Sequence, residues 1–144
     1  MKKTIIVILS IFLIIIISIY INYRQVVSRE LQARKFNQEF EFYNKENILG
    51  TDVTTMINKA IDNNEKYNIQ KGQDGGYIED DKYSIKIYIH MIINDQTYKM
   101  EDITKTGLQE FTKYFGEVKF KCTDVKYHQL TRRVAEMTFA STEL

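Results

Sequence analysis

The 144-residue sequence has no proline, no tryptophan and a single cysteine. Without proline there is no ring-locked helix breaker, so a helix can run on until glycine or a polar turn stops it. The lone Cys122 excludes an intramolecular disulfide framework. Excess charge of one sign is also missing: Lys+Arg 20 against Asp+Glu 19 leaves a net charge of +1. Nucleic-acid binders usually carry a basic stripe, so no nucleic-acid partner is expected. Glycine is scarce, with six residues and none before Gly50. The signatures G-x-x-x-x-G-K-[ST], G-x-S-x-G and H-E-x-x-H are absent. The length suits one domain of ordinary size.

What the chain does have is a long apolar run. Thr4 to Ile21 reads TIIVILSIFLIIIISIYI, 18 residues without charge, Gly or Pro. As a helix it spans about 27 Å, close to the hydrocarbon thickness of a bilayer. Its few hydroxyls can bond back to their own helix. Lys2 and Lys3 precede the run, while Tyr20, Tyr23 and Arg24 lie where interfacial residues belong. A cleaved signal peptide wants small residues at −3 and −1, which Ser18 and Tyr20 fit poorly. A lipoprotein needs a cysteine just after the run, and none is there. The expectation is an uncleaved signal anchor, a single-pass protein of the cell membrane with the bilayer as its first partner.

Orientation is read from two opposed signals. Arg24, Arg29, Arg34 and Lys35 after the run outweigh Lys2, Lys3 and the α-amine before it, which points the C-terminal part inward. A Lys-Lys start followed by an apolar core points it outward, and the extracytoplasmic placement is the expectation. Beyond Ile21 the chain carries 18 basic and 19 acidic side chains, a net charge of −1. The basic group Arg24 to Lys35 is read as lipid-headgroup anchoring rather than a ligand site.

Asn22 to Tyr43 is rich in good helix formers. Ala33, Phe36, Phe40 and Tyr43, spaced 3, 4 and 3, make an apolar seam with Val26 one heptad earlier. One helix from Thr4 to about Tyr43 is expected, roughly 60 Å long. The chain's own head or a partner helix could cover the seam, and the head is favoured. After Gly50, Thr51 or Asp52 should cap a second helix. Val53, Met56, Ile57, Ala60 and Ile61 form its apolar stripe, and Asp62-Asn63-Asn64 should close it.

Lys71 to Gly76 reads as a glycine-rich loop, and Glu79 to Lys82 as a tight hairpin between Tyr77-Ile78 and Tyr83. From Ser84 to Ile93, Ile85, Ile87, Ile89, Met91 and Ile93 alternate with Lys86, Tyr88 and His90, predicting a half-buried strand. Asn94 to Gln96 should turn it into an antiparallel return over Thr97 to Ile103. Thr106 to Gln109 matches a capping box for a short helix with Leu108, Phe111 and Phe115 on its apolar face and Gly116 as its stop. Val118, Phe120 and Cys122 alternate, then apolar parity slips to Val125 and Tyr127, which predicts a bulge near Thr123-Asp124. His128 to Arg132 should turn into a last strand, Val134 to Ala140, with Ala135, Met137 and Phe139 on one side. The sum is an α+β fold: a transmembrane helix continuing into a long amphipathic helix, then a small head with a mainly antiparallel sheet and two short helices. The expected segments are 1–21 anchor, 22–49 stem and 50–144 head.

No reactive constellation stands out. Cys122 is placed inward beside Phe120 and lacks a neighbouring base, so it reads as a small core residue. His90 and His128 lie on different elements without a second ligand at metal spacing and read as surface residues. Asp74, Glu79, Asp80 and Asp81 lack the EF-hand pattern and read as solvated turn residues. The ten tyrosines have no basic interleaving and read as packing and interface surface. No catalytic, cofactor or metal residue is singled out.

The apolar helix, the amphipathic stem Thr4–Tyr43 and the head Gly50–Leu144 together resemble the architecture of type IV pilins and pseudopilins. The resemblance is one of shape: no Gly precedes the apolar run and no Glu occurs within it, so the family's peptidase motif is not matched. The style of the chain also resembles short uncharacterised single-pass envelope proteins of low-GC Gram-positive bacteria. The expected function is a non-enzymatic, membrane-anchored envelope protein making contacts with protein partners or with itself, a pilin-like or secretion-apparatus component being the narrower form. The competing expectation is a membrane-tethered ligand-binding or sensory head that regulates a membrane partner, and it predicts a concave pocket lined by tyrosines.

Overall fold

Helix α1 runs unbroken from Lys2 to Glu41, 40 residues, about 60 Å at the α-helical rise. The computed structural model describes residues 2–142. Met1 and Glu143–Leu144, which bound the expected anchor and head, lie outside the described residues. In the apolar half of α1, Ser10 Oγ donates to the Ile6 carbonyl and Ser18 Oγ to that of Ile14. Both hydroxyls are thus satisfied within the helix, a condition compatible with a bilayer. Asn22 Nδ2 donates to the Ser18 carbonyl just past the run.

The helix ends two residues earlier than the seam suggests. Tyr43 sits in the turn that follows, its N–H on the Phe40 carbonyl, and is still buried. The last residues of the expected stem, Ile48–Leu49, form strand β1. Then come α2 (Gly50–Lys66), β2 (Lys86–Met91), β3 (Gln96–Lys99), α3 (Met100–Thr106), α4 (Leu108–Phe115), β4 (Lys119–Tyr127) and β5 (Val134–Ser141). The architecture is α+β. The five strands form one sheet in the order β1-β4-β5-β2-β3, antiparallel except for the β2–β5 pair at its centre. That parallel pairing joins two hairpins, β2–β3 and β4–β5, into one sheet.

The alternation expected for β2 is present: Ile85, Ile87, Ile89 and Met91 are buried and packed with Phe120, Met137 and Phe139. The stripe Val53, Met56, Ile57 and Ala60 of α2 is fully buried in the same core. The alternate residues Lys86, Tyr88, His90, Lys126, Glu136 and Thr138 make the opposite, polar face. The register of β4 against β5 shifts between Cys122 and Asp124, where the parity slip placed a bulge.

Several local expectations are corrected. No side chain caps α2. The Gly50 N–H donates to the Val118 carbonyl (3.0 Å) and that of Thr51 to the Gly116 carbonyl (3.1 Å), so the α4–β4 connection fills the role assigned to Thr51 or Asp52. Helix α2 does not close at Asp62-Asn63-Asn64 but continues to Lys66, and the left-handed residue is Asn68 (φ 54°). Tyr77 does not pair with Tyr83. It forms a bridge back to Lys71 that closes the glycine loop.

Strand β2 ends at Met91, so Ile93 falls in the turn and is 61% exposed. The return strand stops at Lys99, and Met100–Thr106 is helical because Met100 and Ile103, three apart, are the residues that bury. Asp102 Oδ2 accepts from the Lys99 N–H (3.3 Å) at the start of that helix. The capping box at Thr106 is not formed. Thr106 Oγ1 bonds back to Asp102, and Gly107 (φ 111°) links α3 to α4. Gly116 ends α4 in a right-handed conformation. In β5 the buried residue at the start is Val134, with Ala135 half-buried, because the register shifts again at Lys126/Tyr127.

Candidate functional site

The residues expected at the membrane interface all lie on α1 and are exposed: Lys2, Lys3, Tyr20, Tyr23 and Arg24. None of the apolar window of this helix is buried within the protein. Among the described residues one helix is long and apolar enough to cross a membrane.

The seam is brought together and covered by the head. Ala33 is 3% and Phe40 2% exposed, and Phe36 packs against the same core. Asn37 makes the polar half of the junction: its Oδ1 accepts from the Val134 N–H (2.9 Å) and its Nδ2 donates to the Arg132 carbonyl (2.9 Å). Two backbone groups at the start of β5 are thus fixed to the stem. Stem and head share one core, so the head does not swing freely on the stem. Asn37 is a positioning residue that sequence pattern missed, because a polar residue beside an apolar seam reads as solvated.

Away from the junction, at the Ser141 end of β5, lies a groove of about 500 Å³ between the β2–β3 hairpin and helices α3 and α4. Met91, Tyr98, Ile103 and Phe111 form its walls, and Ile93 and Tyr114 its rim. Tyr114 is 66% exposed, and neighbouring Ile92 is also largely exposed. Asn94, Asp102 and Glu110 supply the polar edge. Asn94 Nδ2 donates to the Tyr98 hydroxyl, which in turn donates to Gln96 Oε1, both at 2.8 Å, so the Tyr98 ring is fixed in place. The helical turn at Met100–Thr106 creates this concavity, so a reading that continued the strand to Ile103 could not locate it.

The other candidate groups are dispersed. Cys122 is half-buried, packed against the core, and its Sγ donates to the Asp124 carbonyl (3.6 Å). Burial, with the Asp124 charge adding to it, pushes the thiol pKa up, the opposite of an activated nucleophile. His90 lies on the polar sheet face, with Nδ1 at 3.2 Å from Thr97 Oγ1 and Nε2 at 3.6 Å from Asp95. His128 is not a surface residue: it is 5% exposed, and its Nε2–H donates to the Ser84 carbonyl (2.7 Å). The packing of the β4–β5 turn against the Asp80–Ser84 loop buries it, a contact no local pattern reveals.

The acidic residues serve their own loops. Asp74 Oδ1 accepts from the Gly76 N–H (3.0 Å), the leading reason its pKa is lowered, and Lys99 lies 3.7 Å from Oδ2. Asp80 Oδ1 accepts from the N–H groups of Lys82, Tyr83 and Ser84. Glu79 pairs with Lys86. Among the described residues no three His, Cys, Asp or Glu side chains converge on one point.

Comparison of the chain with protein-family models, with curated proteins and with solved structures finds no match.

Proposed function

We propose that the chain is a non-enzymatic, single-pass membrane protein whose head makes protein–protein contacts at the cell envelope. The reading rests on the exposed apolar rim of the groove, Ile93 and Tyr114, with exposed Ile92 beside it, carried on a head that shares its core with a membrane-length helix. Clustered apolar exposure marks an interaction surface. Confinement of that surface to the bilayer raises its effective concentration towards a membrane-bound partner or a second copy. The head faces the outside, a placement supported by the Lys2-Lys3 start ahead of the apolar core. The narrower form, a pilin-like or secretion-apparatus component, is supported by the shape alone, a helical stem carrying an α+β head.

A photo-crosslinking residue at Ile93 in living cells tests the contact. A discrete adduct from Ile93, and none from Lys119 in β4, is expected. No adduct from either Ile93 or Tyr114 removes the contact reading. Digestion of the head by protease added to intact cells is expected, and protection that disappears on lysis removes the outside placement.

The groove also supports the second reading, a ligand-binding or sensory head. Its volume of about 500 Å³ and its two tyrosines match what that reading requires. Saturable binding of a small apolar dye to the full chain, abolished by Phe111→Arg, would favour it over the protein-contact reading. Dye binding unchanged in that variant would count against it.

A further inference from the structure

On the stem side of the head a second pocket, of about 640 Å³, is lined by five cationic side chains and no carboxylate. Arg29 and Lys35 come from the stem, Lys66 from the end of α2, Lys82 from the loop before β2, and Arg133 from the β4–β5 turn. Four separate segments therefore converge on one concavity with the same sign of charge. None of the five makes a salt bridge among the described residues, although Lys86, Lys99, Lys121 and Lys126 do so elsewhere.

Arg133 sits at the centre of an aromatic box. Its guanidinium lies 3.6 Å from the Phe36 ring centroid, 4.8 Å from Tyr67 and 5.2 Å from Tyr83. The Tyr67 and Tyr83 rings are themselves stacked at 4.4 Å. Ring contacts hold the cation without neutralising it. The single side-chain acceptor it reaches is Asn63 Oδ1 at 3.4 Å, and its Nε is buried with no partner among the described residues. A guanidinium held in place, not neutralised by any carboxylate and lining the pocket, has the chemistry that recognises a phosphate. The four surrounding cations add charge that like-sign repulsion disfavours unless an anion is present.

We propose that this stem–head pocket binds a phosphate-bearing group, with Arg133 as the fixed donor and Arg29, Lys35, Lys66 and Lys82 closing round it. Either a lipid headgroup or a soluble phosphate compound presents that chemistry. Arg29 lies six residues beyond Tyr23, about 9 Å along the helix, so the membrane-side lip of the pocket stands near the headgroup layer. The site is distinct from the apolar groove and does not depend on what the groove contacts.

The test uses the full chain in detergent micelles. One arm titrates inorganic phosphate by calorimetry. The other measures phosphatidylglycerol retained by native mass spectrometry after offering it with phosphatidylcholine. Arg133→Gln removes the fixed donor. Lys66→Gln/Lys82→Gln removes two exposed cations and leaves the aromatic box intact, so it decides the matter if the first variant fails to fold. Lys113→Gln/Lys119→Gln, outside the pocket, makes the same change in net charge. Saturable phosphate binding, or selective retention of phosphatidylglycerol, weakened about tenfold in the pocket variants and not in the control, supports the proposal and identifies the source. No saturable binding in either arm, or equal losses in pocket and control variants, overturns it.

Discussion

The Asn64 side chain pairs with both backbone groups of Ile85: its Nδ2 donates to the Ile85 carbonyl and its Oδ1 accepts from the Ile85 N–H, each at 2.8 Å. Both residues are fully buried. One amide thus does for the residue entering β2 what a neighbouring strand does further along, and Asn63 adds a bond to the Tyr83 carbonyl (2.7 Å). The end of α2 is fastened to the start of the β2–β3 hairpin by polar groups inside the core. Asn64→Ala leaves a buried donor and a buried acceptor unpaired, at about 1–3 kcal/mol each. Denaturant unfolding of the full chain in micelles should show a loss of at least about 2 kcal/mol. A loss below about 0.5 kcal/mol would mean that water replaces the amide.

The register of β2 makes neighbouring residues respond oppositely. Ile87 is buried against the core, and Ile87→Asp places a carboxylate there with no partner, which should unfold the head. Lys86 is on the polar face, paired with Glu79 at 3.4 Å and opposite Glu136. Lys86→Asp should cost no more than about 1 kcal/mol, the scale of a lost surface pair and one like-charge neighbour. Equal melting temperatures for the two variants would contradict the register.

Gly50 is required by close approach rather than by its φ angle. A Cβ added there would collide with the Phe115 carbonyl oxygen, and the Gly50 N–H is committed to Val118. Backbone rather than a flexible side chain is in the way, so α2 and α4 must part. Gly50→Ala should destabilise the head by about 1–3 kcal/mol, as overpacking does. Gly76→Ala meets only the Asp74 side chain, at 3.3 Å and beyond, and should cost less. Thermal unfolding of both variants ranks them.

Asp80 sets an acid limit on stability. Burial works against its carboxylate, but the N–H groups of Ser84, Tyr83 and Lys82 outweigh that penalty and hold its pKa below the ordinary value. A carboxylate with a depressed folded pKa contributes stability that is complete above its unfolded pKa and lost as pH falls through the folded one. Unfolding midpoints should therefore drop as the medium is acidified below pH ~4, the unperturbed aspartate range. Asp80→Asn keeps an acceptor but not the charge. It should be less stable at neutral pH and show a shallower acid decline, and an unchanged pH profile would show that other carboxylates govern that limit.

Elements whose pattern is local were legible from the residues. The period-two run through Ile85, Ile87, Ile89 and Met91 located β2, and the slip from Phe120 and Cys122 to Val125 located the bulge in β4. The spacing of Ala33, Phe36 and Phe40 located the stem face that the head covers. Local pattern failed where a distant segment supplied the partner. The start of α2 is capped by the carbonyls of Gly116 and Val118, so the Thr51 and Asp52 signals were not used. Asn63 and Asn64 looked like a helix stop because their acceptors and donors, at Tyr83 and Ile85, lie some twenty residues away. Met100 continued an apparent strand until its burial with Ile103 made the segment a helix and opened the groove.

The order of residues alone settled the apolar length of α1, the absence of any helix breaker before Gly50 and the alternation that gives the sheet a wet and a dry face. Those properties depend on rise per residue, side-chain direction and solvation of groups near one another in the chain. Folding decided that β2 and β5 run parallel at the sheet centre, that stem and head share one core, and that Arg29, Lys66, Lys82 and Arg133 meet in one pocket. Those outcomes depend on which distant surfaces can be buried together with their polar groups satisfied, a condition that no window of neighbouring residues contains.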